Sequence, residues 1–288
     1  MISLLVDGKK AKATVVFFSD GGTNVDINIA ELREAERNIR FSVDPSVNIS
    51  ATGFIVQLAA DIINANVSKE IHRTLYLPYL PHARADRPFT DGMASPFKIF
   101  TEGLRLGEHW DSLETNDIHN ANAIPGDLIR YVSEIPQSTC MQITMGRDVG
   151  LSELVEKGNA VTLCAPDNGA YSKASEIANK YRSPLITLDK KRNPINGWIE
   201  SISVSGNDNT INGEEILIVD DICDGGATFV KSAELLKNMG ASSVSLYVTH
   251  GIFSKGLRVF DGIVDNIYCM HVVGSFVTSQ EIHNFNRK

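Results

Sequence analysis

Apolar residues fall along this chain in short runs separated by longer segments of helical period. The runs are TVVFF (14–18), TLYLPYL (74–80), AVTLCA (160–165), EILIVD (215–220), SSVSLYVTH (242–250) and DNIYCMHVV (265–273). Their length and β-branched content predict strands buried on both faces, as in a parallel sheet. Between them, GFIVQLAADIINAN (53–66), PFKIFTEGLRLG (96–107), NGAYSKASEIANKY (168–181) and GATFVKSAELLKNMG (226–240) predict helices. In the last, Phe229, Ala233 and Leu236 share one face, Lys231, Glu234 and Lys237 lie on others, and Gly240 supplies a C-terminal stop. Strands alternating with helices indicate an α/β architecture with mostly parallel sheets flanked by helices.

Each half of the chain carries such a series, and 288 residues exceed what one core usually supports. The pattern therefore predicts two similar α/β domains, 1–138 and 139–288, with the last segment free to pack back on the first domain. The polar segment DKKRNPINGWIESISVSGNDNTING (189–213) reads as a surface loop or a hairpin, of a length that often serves as a functional flap.

Composition narrows the function classes. A net charge of −8 argues against non-specific nucleic-acid binding, which depends on clustered Lys and Arg, but leaves a small anionic substrate open. The four cysteines are scattered without a CxxC pair, which fits a reducing cytoplasm and disfavours a zinc site. Charges interrupt every apolar run in MISLLVDGKKAKATVVFF, so this stretch reads as neither a signal peptide nor a membrane span.

The most informative stretch is ILIVDDICDGGATF, 216–229. An apolar strand runs into Asp220 and Asp221, then Asp224, then a Gly-Gly-Ala-Thr turn that opens a helix. Ligands of open parallel sheets bind at the carboxyl ends of strands, and a helix N-terminus offers free N–H groups to an anion. Gly225, Gly226, Ala227 and Thr228 thus form a candidate phosphate cradle, although the chain has no GxxxxGK[ST] pattern. Carboxylates beside a phosphate suit vicinal hydroxyls, which donate hydrogen bonds to them. Together they point to a ribose phosphate. The plainer alternative is a solvated turn with Asp224 as the helix N-cap.

This stretch, continued through THGIFSKG (249–256), resembles the phosphoribosyl pyrophosphate loop of type I phosphoribosyltransferases and, more closely, on THGIFS (249–254), that of the ribose-phosphate diphosphokinases, the phosphoribosyl pyrophosphate synthetases. LPYLPHARADR (77–87), NDIHNANAIPG (116–126), CAPDNGAYSKA (164–174) and FSDGGTNVDI (18–27) are similar to further segments of that family, in the same order. The resemblance implies two phosphoribosyltransferase-like domains, an ATP-side domain followed by a ribose-phosphate-binding one. It implies transfer of the diphosphoryl group of ATP to the anomeric hydroxyl of ribose 5-phosphate. It places His119 and Asp167 on a Mg²⁺ ion, which completes its shell with water and phosphate oxygens. Phe18, Asp20, Arg84, Asp86, Arg87 and His119 fall on the ATP side. Lys190 and Arg192, in LDKKR, become mobile cations over the transferred group, where positioning and charge neutralisation dominate the chemistry. Asp220, Asp221, Asp224, Gly225, Gly226, Ala227 and Thr228 take the ribose phosphate. The resemblance also implies a homodimer or homohexamer, with the FSDGG strand reaching a neighbour's ATP site.

Several positions depart from the family's pattern. Ala85 stands for a Gln and Gly22 for a Glu on the ATP side, and Asp189 replaces the histidine before Lys190. The phosphate loop reads DGGAT where D-T-x-G-T is usual, so Gly225 removes a hydroxyl and Ala227 replaces a glycine. DGMASPF lacks the arginine associated with regulation by ADP or phosphate. An altered cradle admits a second acceptor, ADP-ribose. Two further classes are a type I phosphoribosyltransferase, against which DIH, PDNG and LDKKR argue, and a non-catalytic regulatory homologue, against which the retention of His119, Asp167 and Lys190 argues.

Overall fold

The computed structural model describes residues 1–68, 70–88, 92–156, 161–192, 199–205 and 211–287, without the side chains of Arg192 and Ile199. Its contacts divide into two compact units, Met1–Ile135 and Pro136–Lys288. No helix among the described residues is long and apolar enough to cross a membrane.

In chain order the first unit comprises β1 (Ile2–Val6), β2 (Lys9–Ala11), β3 (Ala13–Phe17), β4 (Thr23–Ile27), α1 (Ile29–Leu32), β5 (Asn38–Val43), α2 (Ile49–Asn66), β6 (His72–Leu77), α3 (Pro96–Gly103), β7 (Ser112–Asn116) and β8 (Val132–Ile135). Six strands form one sheet in the order β2-β1-β5-β6-β7-β8, parallel from β5 to β8. Ile39, Phe41 and Leu75 from the sheet and Ile55 and Ile63 from α2 are fully buried, each burial stabilising by about 1.5–3 kcal/mol. The TVVFF run is not one of these buried strands. It forms β3, which pairs only with β4 in a two-stranded antiparallel sheet. Val16, Phe17 and Phe18 are 40%, 58% and 53% exposed, because a run of apolar residues does not itself specify what will cover it.

The second unit comprises α4 (Gln137–Met145), α5 (Val149–Glu156), β9 (Thr162–Ala165), α6 (Tyr171–Tyr181), β10 (Leu185–Arg192), β11 (Ile199–Ser205), β12 (Glu215–Cys223), α7 (Ala227–Asn238), β13 (Ser243–Gly251), β14 (Ile267–Val272) and α8 (Ser279–Phe285). Its sheet runs β11-β10-β9-β12-β13-β14, parallel except for β11. Ile216 and Ile218 enter a core with Phe229, Ala233 and Leu236 of α7. Leu217 and Val219 enter the opposite core with Ala174 and Ile177 of α6. This period-2 division explains why β12 reads as a continuous apolar run. Gly240, at φ +95°, ends the α7 segment in a conformation that favours glycine. The terminal helix α8 adds Ile282 and Phe285 to the core of its own unit. Within the polar segment, β10 and β11 form an antiparallel pair, with Lys190 opposite Ile202; residues 193–198 and 206–210 lie outside the described residues.

Candidate active site

The parallel strands of the second unit reverse their spatial order between β9 and β12. The crevice beyond the carboxyl ends at such a reversal is where doubly wound sheets bind ligands. Three neighbouring strands deliver charged residues there: β9 leads into Asp167, β10 carries Lys190, and β12 carries Asp220 and Asp221 in its C-terminal half.

Lys190 is largely buried, and its ammonium donates to Asp167 Oδ2. Asp167 Oδ1 accepts from the backbone N–H of Ala170, 3.2 Å away at the start of α6. Burial pushes the Asp167 carboxyl up, but the Lys190 hydrogen bond and charge and the N–H groups of Ala170 and Gly169 together hold it below its usual range. Asn168 donates to Asp189 Oδ1 at 2.9 Å, tying the loop after β9 to β10.

Alternation along β12 turns Asp220 and Asp221 towards opposite faces. Asp221 is buried and its Oδ2 lies 3.1 Å from Lys173 Nζ, in the first turn of α6. Asp220 accepts from the N–H of Asp221 at 2.9 Å. Burial, then the Asp221 charge, push the Asp220 carboxyl well above the ordinary range, with the Asp167 charge adding to the rise. Two adjacent carboxylates thus meet different surroundings, one neutralised by a lysine and the other disfavoured as an anion.

The loop that follows is braced from the β13 side. Ile252 and Phe253 donate backbone N–H groups to the Cys223 carbonyl at 2.8 and 3.2 Å, and Ser254 N–H donates to the Asp224 carbonyl at 3.2 Å. Asp224 Oδ1 accepts from the Ser254 hydroxyl at 2.5 Å. The N-cap of α7 is Gly226, and no side chain caps that end. Asp224 is therefore a loop brace and not the N-cap residue of α7. Gly226 sits at φ +80°, and a Cβ there would lie 2.6 Å from Phe260 Cζ. Thr228 is half-buried in the first turn of α7.

In the first unit, Asp117 at the end of β7 adopts φ +43°, and His119 in the loop beyond it is exposed. Asn120 of that loop donates to Asp86 Oδ2 at 2.7 Å, so the ARADR segment and the His119 loop are joined. Arg84 and Arg87 are exposed. Phe18 and Asp20 form the turn between β3 and β4, closed by Phe18 N–H to the Gly22 carbonyl at 2.8 Å and Gly22 N–H to Asp20 Oδ1 at 2.8 Å.

A phosphoribosyl transferase domain model matches residues 150–263. The ribose-phosphate pyrophosphokinase of Pyrococcus furiosus is 25% identical over 263 residues, covering 88% of each chain. That of Mycoplasma genitalium is 30% identical over 263 residues, covering 88% of this chain and 72% of its own. This chain belongs to the ribose-phosphate pyrophosphokinase family. The crystal structure of phosphoribosylpyrophosphate synthetase from Mycobacterium smegmatis shares its fold, with a TM-score of 0.68 at 18% identity over 93% of this chain and 88% of that one.

For a ribose-phosphate pyrophosphokinase of this divergence, the structure brings together Asp167, Lys190, Asp220, Asp221 and the Asp224–Thr228 loop in one unit. His119, Arg84, Asp86, Arg87, Phe18 and Asp20 belong to the other. The Arg192 side chain lies outside the described residues, and so does Asp91 in DGMASPF. Four residues escaped the sequence reading as individuals: Lys173, Asn120, Ser254 and Lys255. All four lie inside the matched segments CAPDNGAYSKA, NDIHNANAIPG and THGIFSKG, where a helical or loop offset from an acid was the available signal.

Proposed function

We propose that this protein transfers the diphosphoryl group of ATP to the anomeric hydroxyl of ribose 5-phosphate, giving phosphoribosyl pyrophosphate and AMP. The observation that carries the reading is the convergence of Asp167, Lys190, Asp220 and Asp221 at three adjacent strand ends, beside an α7 N-terminus that no side chain caps. The helix N–H groups and the Gly225–Thr228 loop receive the acceptor's phosphate. Asp220 accepts hydrogen bonds from the ribose diol, which orients the anomeric hydroxyl, while Asp221, on the other face of β12 and held by Lys173, joins the acceptor site in the reading by fixing that end of the strand. That hydroxyl oxygen bonds to the β-phosphorus, the bond from this phosphorus to the bridging oxygen of the AMP moiety breaks, and the hydroxyl proton is released. Lys190 supplies positive charge to the transferred group, joined in the reading by Arg192. On the nucleotide side, Arg84 contacts ATP, Asp86 orders that segment through the bond it accepts from Asn120, with Arg87 beside it in sequence, and Phe18 and Asp20 complete the nucleotide's surroundings.

The residues fit a Mg²⁺ ion that arrives with its nucleotide. No group of three or more His, Cys, Asp or Glu among the described residues could cage a metal, whereas a partly buried carboxylate such as Asp167 suits an ion that keeps water and phosphate oxygens. Asp167 is its proposed protein ligand in the second unit, and the family resemblance proposes His119 as a metal ligand in the first. When bound, Mg²⁺ neutralises charge on the ATP phosphates. The exposed Phe17 and Phe18 of the β3–β4 hairpin support the homo-oligomer implied by the family resemblance.

Incubation with Mg²⁺ and ATP, with ribose 5-phosphate or ADP-ribose as acceptor, tests the reading by release of AMP. Release with ribose 5-phosphate is expected. Release with neither acceptor sinks the proposal, and release with ADP-ribose alone replaces the acceptor.

A further inference from the structure

We propose that Lys255 determines acceptor specificity by binding the phosphate monoester of the acceptor, in the space that Gly225 leaves open. The proposal rests on the acceptor site described above. Gly225 and Gly226 are adjacent, yet only Gly226 needs to be glycine. A Cβ built on Gly225 would meet nothing closer than the Lys255 stem, with Cε at 3.5 Å, Cδ at 3.6 Å and Cγ at 3.7 Å. These are ordinary contact distances, and the Gly225 backbone is outside the left-handed region. Backbone geometry therefore permits a side chain at 225, and what occupies that side of the cradle is a lysine from another loop.

The backbone that carries Lys255 is held in place. The backbone bonds from Ile252, Phe253 and Ser254 to Cys223 and Asp224 bind its loop to the cradle, and Gly256 N–H closes the turn on the Phe253 carbonyl at 2.8 Å. Phe253 is fully buried and anchors that turn. Lys255 itself is exposed, so its ammonium is available to a ligand. The neighbouring lysines are already paired, Lys173 with Asp221 and Lys190 with Asp167. Lys255 has no carboxylate partner among the described residues. A lysine acts on phosphate as a flexible point charge, and beside the N–H groups of α7 it favours a dianionic monoester over a singly charged ester.

Calorimetric titration of ribose 5-phosphate into the full-length protein tests this without relying on turnover. Lys255→Ala is expected to weaken binding about 10- to 100-fold, the loss of one charge-assisted hydrogen bond, and to raise the KM for ribose 5-phosphate far more than the KM for ATP. Lys255→Arg should retain most of the affinity. Gly225→Thr, added to Lys255→Ala, should recover part of it, since a side chain fits there. Unchanged ribose 5-phosphate affinity in Lys255→Ala overturns the role of Lys255 while leaving the acceptor reading intact. A loss confined to ADP-ribose overturns the preference for a monoester. If the unsubstituted protein binds no ribose 5-phosphate, the acceptor reading fails and this proposal fails with it.

Discussion

The two glycines of the phosphate cradle should respond unequally to a single added methyl group. In Gly226→Ala, the new Cβ would lie 2.6 Å from Phe260 Cζ, 3.1 Å from Phe260 Cε1 and 3.2 Å from Val259 Cγ2. Phe260 is fully buried and packs edge-on against Phe253 with ring centroids 6.2 Å apart, so it has little room to retreat. Overpacking of this kind costs about 1–3 kcal/mol, and a left-handed conformation costs a residue with a Cβ about 1–2 kcal/mol. The stiffer unfolded chain returns about 0.4–1 kcal/mol. The net destabilisation is about 3 kcal/mol, which for a unit spanning Pro136–Lys288 lowers the melting temperature by roughly 6–12 °C. Gly225→Ala meets no atom closer than 3.5 Å, so it should change stability by less than about 1 kcal/mol. Scanning calorimetry of the two variants in metal-free buffer makes the comparison. Equal melting temperatures, or a Gly226→Ala midpoint within about 2 °C of the unsubstituted protein, would refute the assignment of strain to one glycine alone.

Two further substitutions test the charges of the crevice. Lys190→Ala should lower kcat by about 100- to 1,000-fold, as loss of a preorganised transition-state contact does, with the KM for ATP changed only a few-fold; a kcat within tenfold would remove Lys190 from the transfer step. Asp220 has its carboxyl raised by burial and by Asp221, so the folded chain holds a proton there more tightly than the unfolded chain does. Its contribution to stability is complete below the ordinary carboxylate range and is lost as pH rises through the raised folded value. Asp220→Asn should therefore melt at a higher temperature than the unsubstituted protein at pH 7 in metal-free buffer, the gain shrinking towards pH 4, while acceptor binding falls. A gain that does not depend on pH would contradict the buried-carboxylate account.

Local pattern was sufficient where burial is uniform along an element. Ile216–Val219 read as a strand because both of its faces meet apolar cores, and Phe229, Ala233 and Leu236 read as one helix face because α7 covers one of them. Gly240 ended that helix as its position in the sequence implied. Strands with more polar residues, such as NIRFSV in β5 and SLETN in β7, were not legible, since their strand character comes from partners distant in the chain.

The amino-acid sequence by itself determined the α/β class, the strand, acidic turn and helix that carry the cradle, and the family resemblance, because each is written in neighbouring residues. Strand order came only with the tertiary structure, and strand order is what sets Lys190 against Asp167 across β10 and β9. The third dimension also separated Asp220 from Asp221, gave Asp221 to Lys173, left Phe17 and Phe18 of the β3–β4 hairpin exposed and laid Lys255 along Gly225. Periodicity states which face a side chain takes; which residue waits on that face depends on pairing between segments far apart in the chain.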